Sequence, residues 1–330
     1  MKKRILSGMR PTGQLHLGHL VGALDNWIKL QDEYDCFYMV ADWHALMSEY
    51  ENPQNMPEYI LDNVMDWLAC GISPEKSTIF IQSHVKEHLE LHMVFSLITQ
   101  LGLLERCPTY KEQLREITNR DLHTYGFLGY PVLQAADILL YKAEVVPVGE
   151  DQLPHLELTR QIARKFNRLY KQEVFPDPKA LLTKADRLLG LDGRKMSKSY
   201  NNTIAISEEP ESIRKKVMNM FTDPTRIKFT DPGHPDKCNV HSYYEVFAPE
   251  RKKEVDEACR KAKVGCTDCK RELAEIIIKY LAPIQEKRRE LAKNKSAVSD
   301  ILNEGEKKAK QVAEKTMAEV RSILKLSPAS

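Results

Sequence analysis

The chain has 330 residues, 42% of them hydrophobic and 29% charged, which is typical of a globular protein of about two domains. No apolar run approaches the ~18 residues of a membrane helix, and the basic start lacks the apolar stretch of a signal peptide, so we expect a cytoplasmic protein. The net charge is +2, yet residues 251–295 contain 14 Lys/Arg and 8 Asp/Glu, an excess typical of a polyanion-binding surface or of a solvated helical face.

Strands and helices alternate in the first half of the chain. Short apolar strands are predicted at RILSG, CFYMVAD, STIFIQS and EVVPVG. The intervening stretches have helical spacing, beginning near residue 17 and then at about 53–70, 85–101, 131–141 and 151–167. Unbroken apolar strands separated by helices predict an α/β fold with a parallel sheet covered on both faces. Ligands of such sheets bind beyond the carboxyl ends of the strands.

The strand pattern fades after about residue 203. Helices are predicted at 209–221, 269–291 and 304–326, with a Pro/Asp-rich loop at 222–237. We therefore expect a first domain at 1–203 and a helical second domain at 204–304. The final helix, 305–330, is expected to pack back on the first domain.

The turn after the first strand, SGMRPTGQLHLGH, contains two histidines at a predicted helix start. His16 and His19 are three residues apart, which predicts that both lie on one face of the first helical turn. Gly18 between them permits close approach to the backbone. The N–H groups of a helix N-terminus attract phosphate, and imidazoles there can donate to phosphate oxygens that gain charge in a transition state. The alternative is two ordinary helical histidines.

A second cationic segment, GRKMSKSYNN, begins at Gly193. In isolation it is typical of a basic surface loop. Together with the histidines it predicts a mobile phosphate-binding loop, in which the lysines reach the leaving phosphates of a nucleotide, the serines donate hydrogen bonds and the methionine anchors the closed loop. These side chains are Lys195, Met196, Ser197, Lys198 and Ser199.

HLGH followed far downstream by KMSKS resembles the class I aminoacyl-tRNA synthetases. Within that class, GMRPTGQLHLGHLVGAL, ADWHAL, YPVLQAADILLYKAEVVPVGEDQLPHLELTR and GRKMSKS resemble the tryptophanyl-tRNA synthetases, along nearly the whole chain. The resemblance implies a Rossmann-type catalytic domain, an all-helical C-terminal anticodon-binding domain and a homodimer. It also implies the partners L-tryptophan, ATP with Mg²⁺ and tRNA(Trp).

The resemblance also implies roles for individual residues. The catalytic groups would be His16, His19, Lys195 and Lys198. The ATP site would be lined by Arg10, Pro11, Thr12, Gly18, His19, Gly149, Glu150, Asp151 and the KMSKS residues Lys195, Met196, Ser197, Lys198 and Ser199. The attacking carboxylate belongs to the substrate, so no protein nucleophile is needed and the enzyme positions the reactants and stabilises charge on the phosphates.

Asp137 is a carboxylate within the apolar helix QAADILL, where a buried charge is costly unless it is hydrogen-bonded. It is suited to accept the indole N–H, the polar group of a tryptophan side chain, although it would accept a tyrosine hydroxyl equally well. In the tyrosyl-tRNA synthetases, which the QAAD motif also resembles, a tyrosine on the first strand contacts that hydroxyl. This chain has Leu6 at the matching place, which offers no such contact and favours tryptophan. The remaining substrate residues would be Tyr130, Gln134, Gln152 and His44, the last at the end of the second strand.

Four cysteines, Cys238, Cys259, Cys266 and Cys269, have the spacing C-x20-C-x6-C-x2-C. Four thiols at this kind of spacing predict an Fe–S cluster or structural zinc. A subgroup of the similar synthetases carries a [4Fe–4S] cluster on cysteines with the same last two spacings, so we favour the cluster over Zn²⁺, and unligated thiols are the third alternative. Its place in the basic helical domain suggests a role near the anticodon.

Three other functions remain open from the residues alone. They are a tyrosine–tRNA ligase, a nucleotidyltransferase that does not use tRNA, and a non-catalytic synthetase-like RNA-binding protein. The basic helical domain argues against the second, and the presence of both histidines and both lysines favours catalysis over the third.

Overall fold

The computed structural model describes residues 2–117, 120–182, 188–197 and 200–326. Its centre is a five-stranded sheet with the order β3-β2-β1-β4-β5, in which all neighbouring strands are parallel. The strands are β1 (Arg4–Met9), β2 (Asp35–Val40), β3 (Ser77–Ile81), β4 (Val145–Val148) and β5 (Lys179–Leu182). The predicted parallel α/β sheet is confirmed. The sequence did not reveal β5, because this edge strand is short and partly exposed.

The neighbouring strands β2 and β3 are buried on both faces, which explains their unbroken apolar sequences. On one face, Trp27 stacks on Tyr38 with ring centroids 4.4 Å apart. On the other face, Phe37 lies 5.0 Å from the ring of Tyr141. Helices therefore cover the sheet on both sides, as in a doubly wound fold.

The predicted helices of the first half are present with shifted ends, whereas Asp42–Glu49, Leu101–Glu105, Pro108–Glu116 and Tyr125–Leu128 were not predicted. The first predicted helix is interrupted, since a π-helical turn, Leu20–Leu24, separates two α-helical pieces. The α-helices are Leu17–His19, Asp25–Leu30, Asp42–Glu49, Met56–Cys70, Glu87–Ile98, Leu101–Glu105, Pro108–Glu116, Tyr125–Leu128, Tyr130–Leu140 and Leu153–Tyr170, with 3-10 turns at Gln82–His84 and Glu150–Gln152.

Beyond residue 203 the described chain is helical. The α-helices are Pro210–Met218, Asn239–Phe247, Pro249–Arg260, Cys266–Lys293 and Lys295–Ile323, with a 3-10 turn at Pro235–Lys237. The second and third were not predicted. Pro249–Arg260 carries few apolar residues, whereas Asn239–Phe247 does have apolar residues at helical spacing, namely Val240, Tyr243, Tyr244 and Phe247. In the described part of the chain, no helix combines the length and apolar character needed to span a bilayer.

The last helix lies against the sheet. It begins at Lys295, nine residues before the predicted start, where the Asn294 side chain accepts a hydrogen bond from the Ala297 N–H. A Cβ added to Gly305 would overlap the carbonyl oxygen of Ile79 in β3, so the helix backbone touches the strand directly. The helix therefore forms part of the layer that covers the sheet.

Candidate active site

A cavity of about 310 Å³ opens at the carboxyl end of the sheet, where the strand order reverses between β1 and β4. This is the position predicted for a ligand of a doubly wound sheet. All five residues predicted for the amino-acid substrate line it, together with Leu6 and Arg10. Those five are His44, Tyr130, Gln134, Asp137 and Gln152. His44 lies in the helix Asp42–Glu49, one turn beyond the strand end where the sequence placed it.

Asp137 is buried at the base of this cavity and accepts hydrogen bonds from three side chains. Its Oδ1 receives the Gln82 Nε2–H (2.8 Å) and the His88 Nδ1–H (2.6 Å). Its Oδ2 lies 2.7 Å from His44 Nε2. Burial alone would raise the pKa of Asp137, but the hydrogen bonds from His44 and His88 outweigh it and hold that pKa well below its usual range. Asp137 is therefore an ionised acceptor at neutral pH.

A second hydrogen-bonded chain runs along the cavity wall. The Tyr130 hydroxyl lies 2.8 Å from His155 Nε2, and His155 Nδ1 lies 3.1 Å from Gln152 Oε1. Burial lowers the pKa of His155 to about 4, so its imidazole is neutral at pH 7. Because the amide oxygen can only accept, His155 donates from Nδ1 and its Nε2 accepts the tyrosine proton. The lone pairs of the Tyr130 oxygen are left for another donor.

The two histidines of HLGH are held in one tautomer by backbone donors. His16 caps the helix from an extended conformation rather than lying within the first turn as predicted. The Gly18 N–H donates to His16 Nδ1 (3.1 Å), and the His16 N–H donates to His19 Nδ1 (3.2 Å). Since a backbone N–H can only donate, each Nδ1 accepts in these contacts and the ring proton is carried on Nε2.

The segment around the KMSKS motif meets the HLGH segment directly. The Leu17 N–H donates to the Ile204 carbonyl (3.0 Å), just after the loop. Met196 is buried, with its sulfur 3.2 Å from the Gly18 nitrogen. Met196 therefore anchors the loop both on the backbone at Gly18 and within the apolar core. Lys195 is exposed beside it, whereas Lys198 and Ser199 lie outside the described residues.

Asn202 braces this loop, and the sequence gave no indication of it. Its side chain is buried, accepts the Ser197 N–H (2.8 Å) and donates to the Lys195 carbonyl (3.0 Å) and to Asp192 Oδ1 (2.8 Å). A Cβ added to Gly190 would overlap its amide group. Three hydrogen bonds of the Asn202 side chain therefore hold the described part of the loop in position.

The remaining residues predicted for ATP flank the same cavity. Arg10 lies in the cavity wall at the end of β1, and the Thr12 N–H donates to its carbonyl (2.9 Å), which closes the turn before HLGH. Pro11 is buried in that turn. Gly149 follows β4 and begins the 3-10 turn Glu150–Gln152, which exposes the carboxylates of Glu150 and Asp151.

Among the described residues, sequence reasoning missed Gln82, His88, Tyr141 and His155 in this site. Gln82 directly follows β3, so a polar residue at a strand end was the available signal. His155 lies three residues after Gln152, and helical spacing would have placed both on one face. His88 and Tyr141 gave no signal, because their roles depend on contacts between separate helices.

The four late cysteines line one small pocket in the helical region. Cys238 precedes the helix Asn239–Phe247, Cys259 lies near the end of Pro249–Arg260, and Cys266 and Cys269 begin Cys266–Lys293. Burial and the three neighbouring thiols raise the pKa of Cys269 to about 12. Within the described residues, no group of three or more His, Cys, Asp or Glu side chains is placed to hold a metal ion. The structure therefore brings the thiols to one pocket without the geometry of a ligand set.

The comparisons with known proteins agree with this site. Residues 1–282 match the family described as tRNA synthetases class I (W and Y). A curated relative from Thermotoga maritima, named tryptophan–tRNA ligase, is 54% identical over 98% of this chain and 99% of its own length. One of the same name from Aquifex aeolicus is 44% identical over 98% of this chain and 100% of its own length. A solved tryptophanyl-tRNA synthetase from Campylobacter jejuni, complexed with ADP and tryptophan, is 34% identical with a TM-score of 0.88, over 97% of this chain and 99% of that one. The chain belongs to the class I tRNA synthetases of the tryptophan and tyrosine family.

Proposed function

We propose that this protein joins L-tryptophan to tRNA(Trp) in two steps. In the first, a carboxylate oxygen of tryptophan attacks the α-phosphorus of ATP, forming tryptophanyl-adenylate and releasing pyrophosphate. In the second, a hydroxyl at the 3′ end of the tRNA attacks the acyl carbon and releases AMP. The observation that carries the proposal is Asp137, an ionised acceptor in the wall of a cavity at the carboxyl end of the sheet.

Asp137 has one acceptor position to offer to the indole. A carboxylate has about four lone-pair sites. Two on Oδ1 are taken by Gln82 and His88, and one on Oδ2 by His44. The remaining site on Oδ2 is suited to the indole N–H, which is a donor only. Leu6 lines the same cavity and offers no partner to a tyrosine hydroxyl, which supports tryptophan over tyrosine.

The opposite wall is suited to the substrate's charged backbone groups. Because Tyr130 donates its proton to His155, its oxygen presents lone pairs that an ammonium group can use. Gln134 and Gln152 line the same wall and complete this end of the site. His155 touches no substrate in this proposal and acts as a positioning residue.

The phosphate end uses His16, His19 and the KMSKS loop. The Nε2–H groups donate to phosphate oxygens, where negative charge develops as the α-phosphorus is attacked. Lys195 and Lys198 neutralise the leaving pyrophosphate. Magnesium accompanies ATP as an ion of the substrate, held chiefly by phosphate oxygens. Glu150 and Asp151 are exposed after β4, within the ATP segment implied by the family resemblance, where carboxylates accept ribose hydroxyls.

ATP–pyrophosphate exchange tests this proposal without tRNA. We expect exchange with tryptophan and none with tyrosine. Asp137→Ala should lower kcat/KM for tryptophan by about 100-fold or more, since a site built around a substrate donor loses its partner. Asp177→Asn, on the surface, is the matched control. Exchange with tyrosine would make the protein a tyrosine enzyme, and tRNA binding without any exchange would make it a non-catalytic RNA-binding protein.

The four cysteines are proposed to hold a [4Fe–4S] cluster, with Zn²⁺ as the alternative. The support is the donor set: four thiols from three helix ends facing one pocket, a number that suits either group. Such a cluster would brace the helix ends near the anticodon. Protein purified without oxygen should contain iron and sulfide, and both should be lost in Cys269→Ser but not in Cys70→Ser. Zinc in place of iron and sulfide would decide for the alternative. Unchanged tRNA affinity after removal of the cluster would exclude the bracing role.

We also propose that the chain forms a homodimer through the helix Glu87–Ile98. Met93 and Leu97 lie one turn apart and are 58% and 72% exposed, and Leu101 follows at 60%. Exposed apolar surface of this kind is typical of an interface. Light scattering should give twice the chain mass for the unaltered protein and the single-chain mass for Leu97→Glu. An unaltered protein of single-chain mass would refute this.

The proposed domain division remains at residues 1–203 and 204–304, with 305–330 returning to the first domain. The support is the change from strands to helices and the contact of Gly305 with β3. A protein that charges tRNA is expected in the cytoplasm. Limited proteolysis that cuts near residue 203 and leaves the last helix bound to the first fragment would agree with this division.

A further inference from the structure

The turn at residues 226–231 exposes two large apolar side chains beside the cysteine pocket. Ile227 is 87% exposed, and Phe229 is 62% exposed. Lys228 lies between them in the sequence. Exposed neighbouring apolar side chains on a soluble protein are typical of contact surfaces.

The turn is held in place by contacts that keep those side chains outward. Asp231 Oδ2 accepts the Lys228 N–H (2.7 Å) and the Ile227 N–H (3.2 Å). From the other side, Arg226 Nη2 donates to the Phe229 carbonyl (2.9 Å). These bonds leave the apolar side chains of the turn unable to fold inward without breaking its backbone contacts.

One edge of the Phe229 ring rests on the start of the helix Cys266–Lys293. Its Cε2 atom would lie 3.5 Å from a Cβ placed on Gly265. Phe229 is nevertheless mostly exposed, and an exposed aromatic ring held at one edge is suited to stack on another flat ring.

The surroundings of the turn are cationic. Residues 226–238 and 259–271 together contain eight Lys/Arg and three Asp. One of these aspartates, Asp231, is committed to the backbone of the turn, and Asp268 pairs with Arg271 at 3.3 Å. This charge complements a polyanion and disfavours a second copy of the same basic surface.

We propose that Phe229, flanked by Ile227, stacks on an unpaired base of tRNA while the neighbouring cations contact its phosphates. Aromatic stacking combined with backbone cations is the usual way in which proteins hold single-stranded nucleic acid. The proposal rests on the proposed function, because it takes tRNA as the partner. It goes beyond it by assigning the contact to one turn and one ring.

The test uses the full chain and a tRNA(Trp) transcript. Because stacking on one base contributes to tRNA affinity, Phe229→Ala should raise the Kd for tRNA about tenfold. Phe229→Tyr keeps the aromatic ring and should keep the affinity. Ile227→Ala should raise it less. Leu169→Ala, on the helix Leu153–Tyr170 and 55% exposed, is the matched control and should change nothing. Thermal unfolding verifies that each variant is folded.

Two further readouts separate stacking from a general charge effect. Phe229→Ala should leave the salt dependence of tRNA binding unchanged, whereas Lys228→Ala should reduce its slope by about 1. A 2-aminopurine placed at one anticodon position at a time should be quenched at one position by the unaltered protein and not by Phe229→Ala.

The outcomes are distinguishable from a failure of the proposed function. ATP–pyrophosphate exchange with tryptophan needs no tRNA, so its rate should be equal in all these variants. Absence of exchange from the unaltered protein would refute the proposed ligase activity but not the proposed stacking of Phe229. Unchanged tRNA affinity in Phe229→Ala overturns the inference. Binding to phosphatidylcholine–phosphatidylserine vesicles that is lost in Phe229→Ala, with tRNA affinity intact, would assign the turn to a membrane surface instead.

Discussion

His88 Nδ1 lies 2.6 Å from Asp137 Oδ1, and His88 Nε2 lies 2.8 Å from the Tyr141 hydroxyl. All three side chains are buried. Burial raises the pKa of Tyr141 well above its usual value, so the phenol stays neutral and keeps its proton to donate. The imidazole of His88 thus connects the neutral Tyr141 hydroxyl to Asp137, the proposed indole acceptor. By occupying Oδ1, it leaves Oδ2 of Asp137 as the oxygen available to the indole N–H.

His88→Ala should therefore impair tryptophan recognition without touching the substrate. A hydrogen bond to a charged group contributes about 1.5–3 kcal/mol, so kcat/KM for tryptophan in exchange should fall about 10- to 150-fold. The KM for ATP should stay unchanged, because the phosphate end of the cavity is intact. His84→Ala, half-exposed near the same helix, is the control. Equal losses for both substrates would show that His88 acts only through overall stability.

The neutral state of His155 predicts a pH dependence of stability. Its pKa is lowered by burial to about 4 in the folded protein, below the usual 6.5. Between these values the unfolded chain binds a proton that the folded chain does not, so stability is complete above pH 6.5 and is lost as pH falls towards 4. The loss is on the order of 3 kcal/mol at most.

Urea unfolding of the unaltered protein and of His155→Gln, at several pH values, measures this. Glutamine cannot take up the proton, so the difference in unfolding free energy between the two proteins should change across that range in favour of the variant. Other titrating groups cancel in the difference. A constant difference from pH 7 to pH 4 would contradict the buried neutral imidazole.

Asn202→Ala should slow activation by releasing the loop. The variant loses the hydrogen bonds to Ser197 and Lys195 that hold the loop against HLGH. We expect kcat for exchange to fall about tenfold, corresponding to about 1.4 kcal/mol, with little change in the KM for tryptophan. Asn201→Gly is the control, since Asn201 is exposed and has a φ of +49°, which glycine tolerates. A change in tryptophan KM alone would place Asn202 in a different role.

Arg288 and Asp66 join the helix Cys266–Lys293 to the helix Met56–Cys70. Arg288 Nε lies 2.7 Å from Asp66 Oδ1, and its Nη2 lies 2.9 Å from Asp62. Burial raises the pKa of Asp66 to about 6 even with this partner. Arg288→Ala leaves a buried carboxylate without its cation and should destabilise the protein by about 3 kcal/mol at pH 7.

Removing the charge as well should recover much of that loss. Adding Asp66→Asn to Arg288→Ala should restore stability, because the amide needs no counter-ion. Calorimetric unfolding of the two single variants and the double variant gives the coupling between the residues. Additive losses in the double variant would show that the two side chains act independently.

Local sequence patterns determined much of this protein. Four of the five strands, the turn at Gly8–His19, the lysine-bearing loop and the acidic residue in QAADILL could all be found, because period and composition reveal strands, caps and chemically unusual residues. The helix Pro249–Arg260 could not, since its apolar residues are too few to define a face. The helix Asn239–Phe247 was missed although Val240, Tyr243, Tyr244 and Phe247 have helical spacing.

Tertiary structure alone decided how those pieces work together. The sequence separates Gly18 from Met196 and His88 from Asp137, and only the sheet order and the packing of helices bring each pair into contact. The same holds for Asn202 and Gly190, for Tyr130 and His155, and for the four thiols. The hydrophobic periodicity of a helix or strand is set by the backbone geometry within one segment. These contacts instead depend on which segments become neighbours when apolar surface is buried, and no single segment encodes its neighbours.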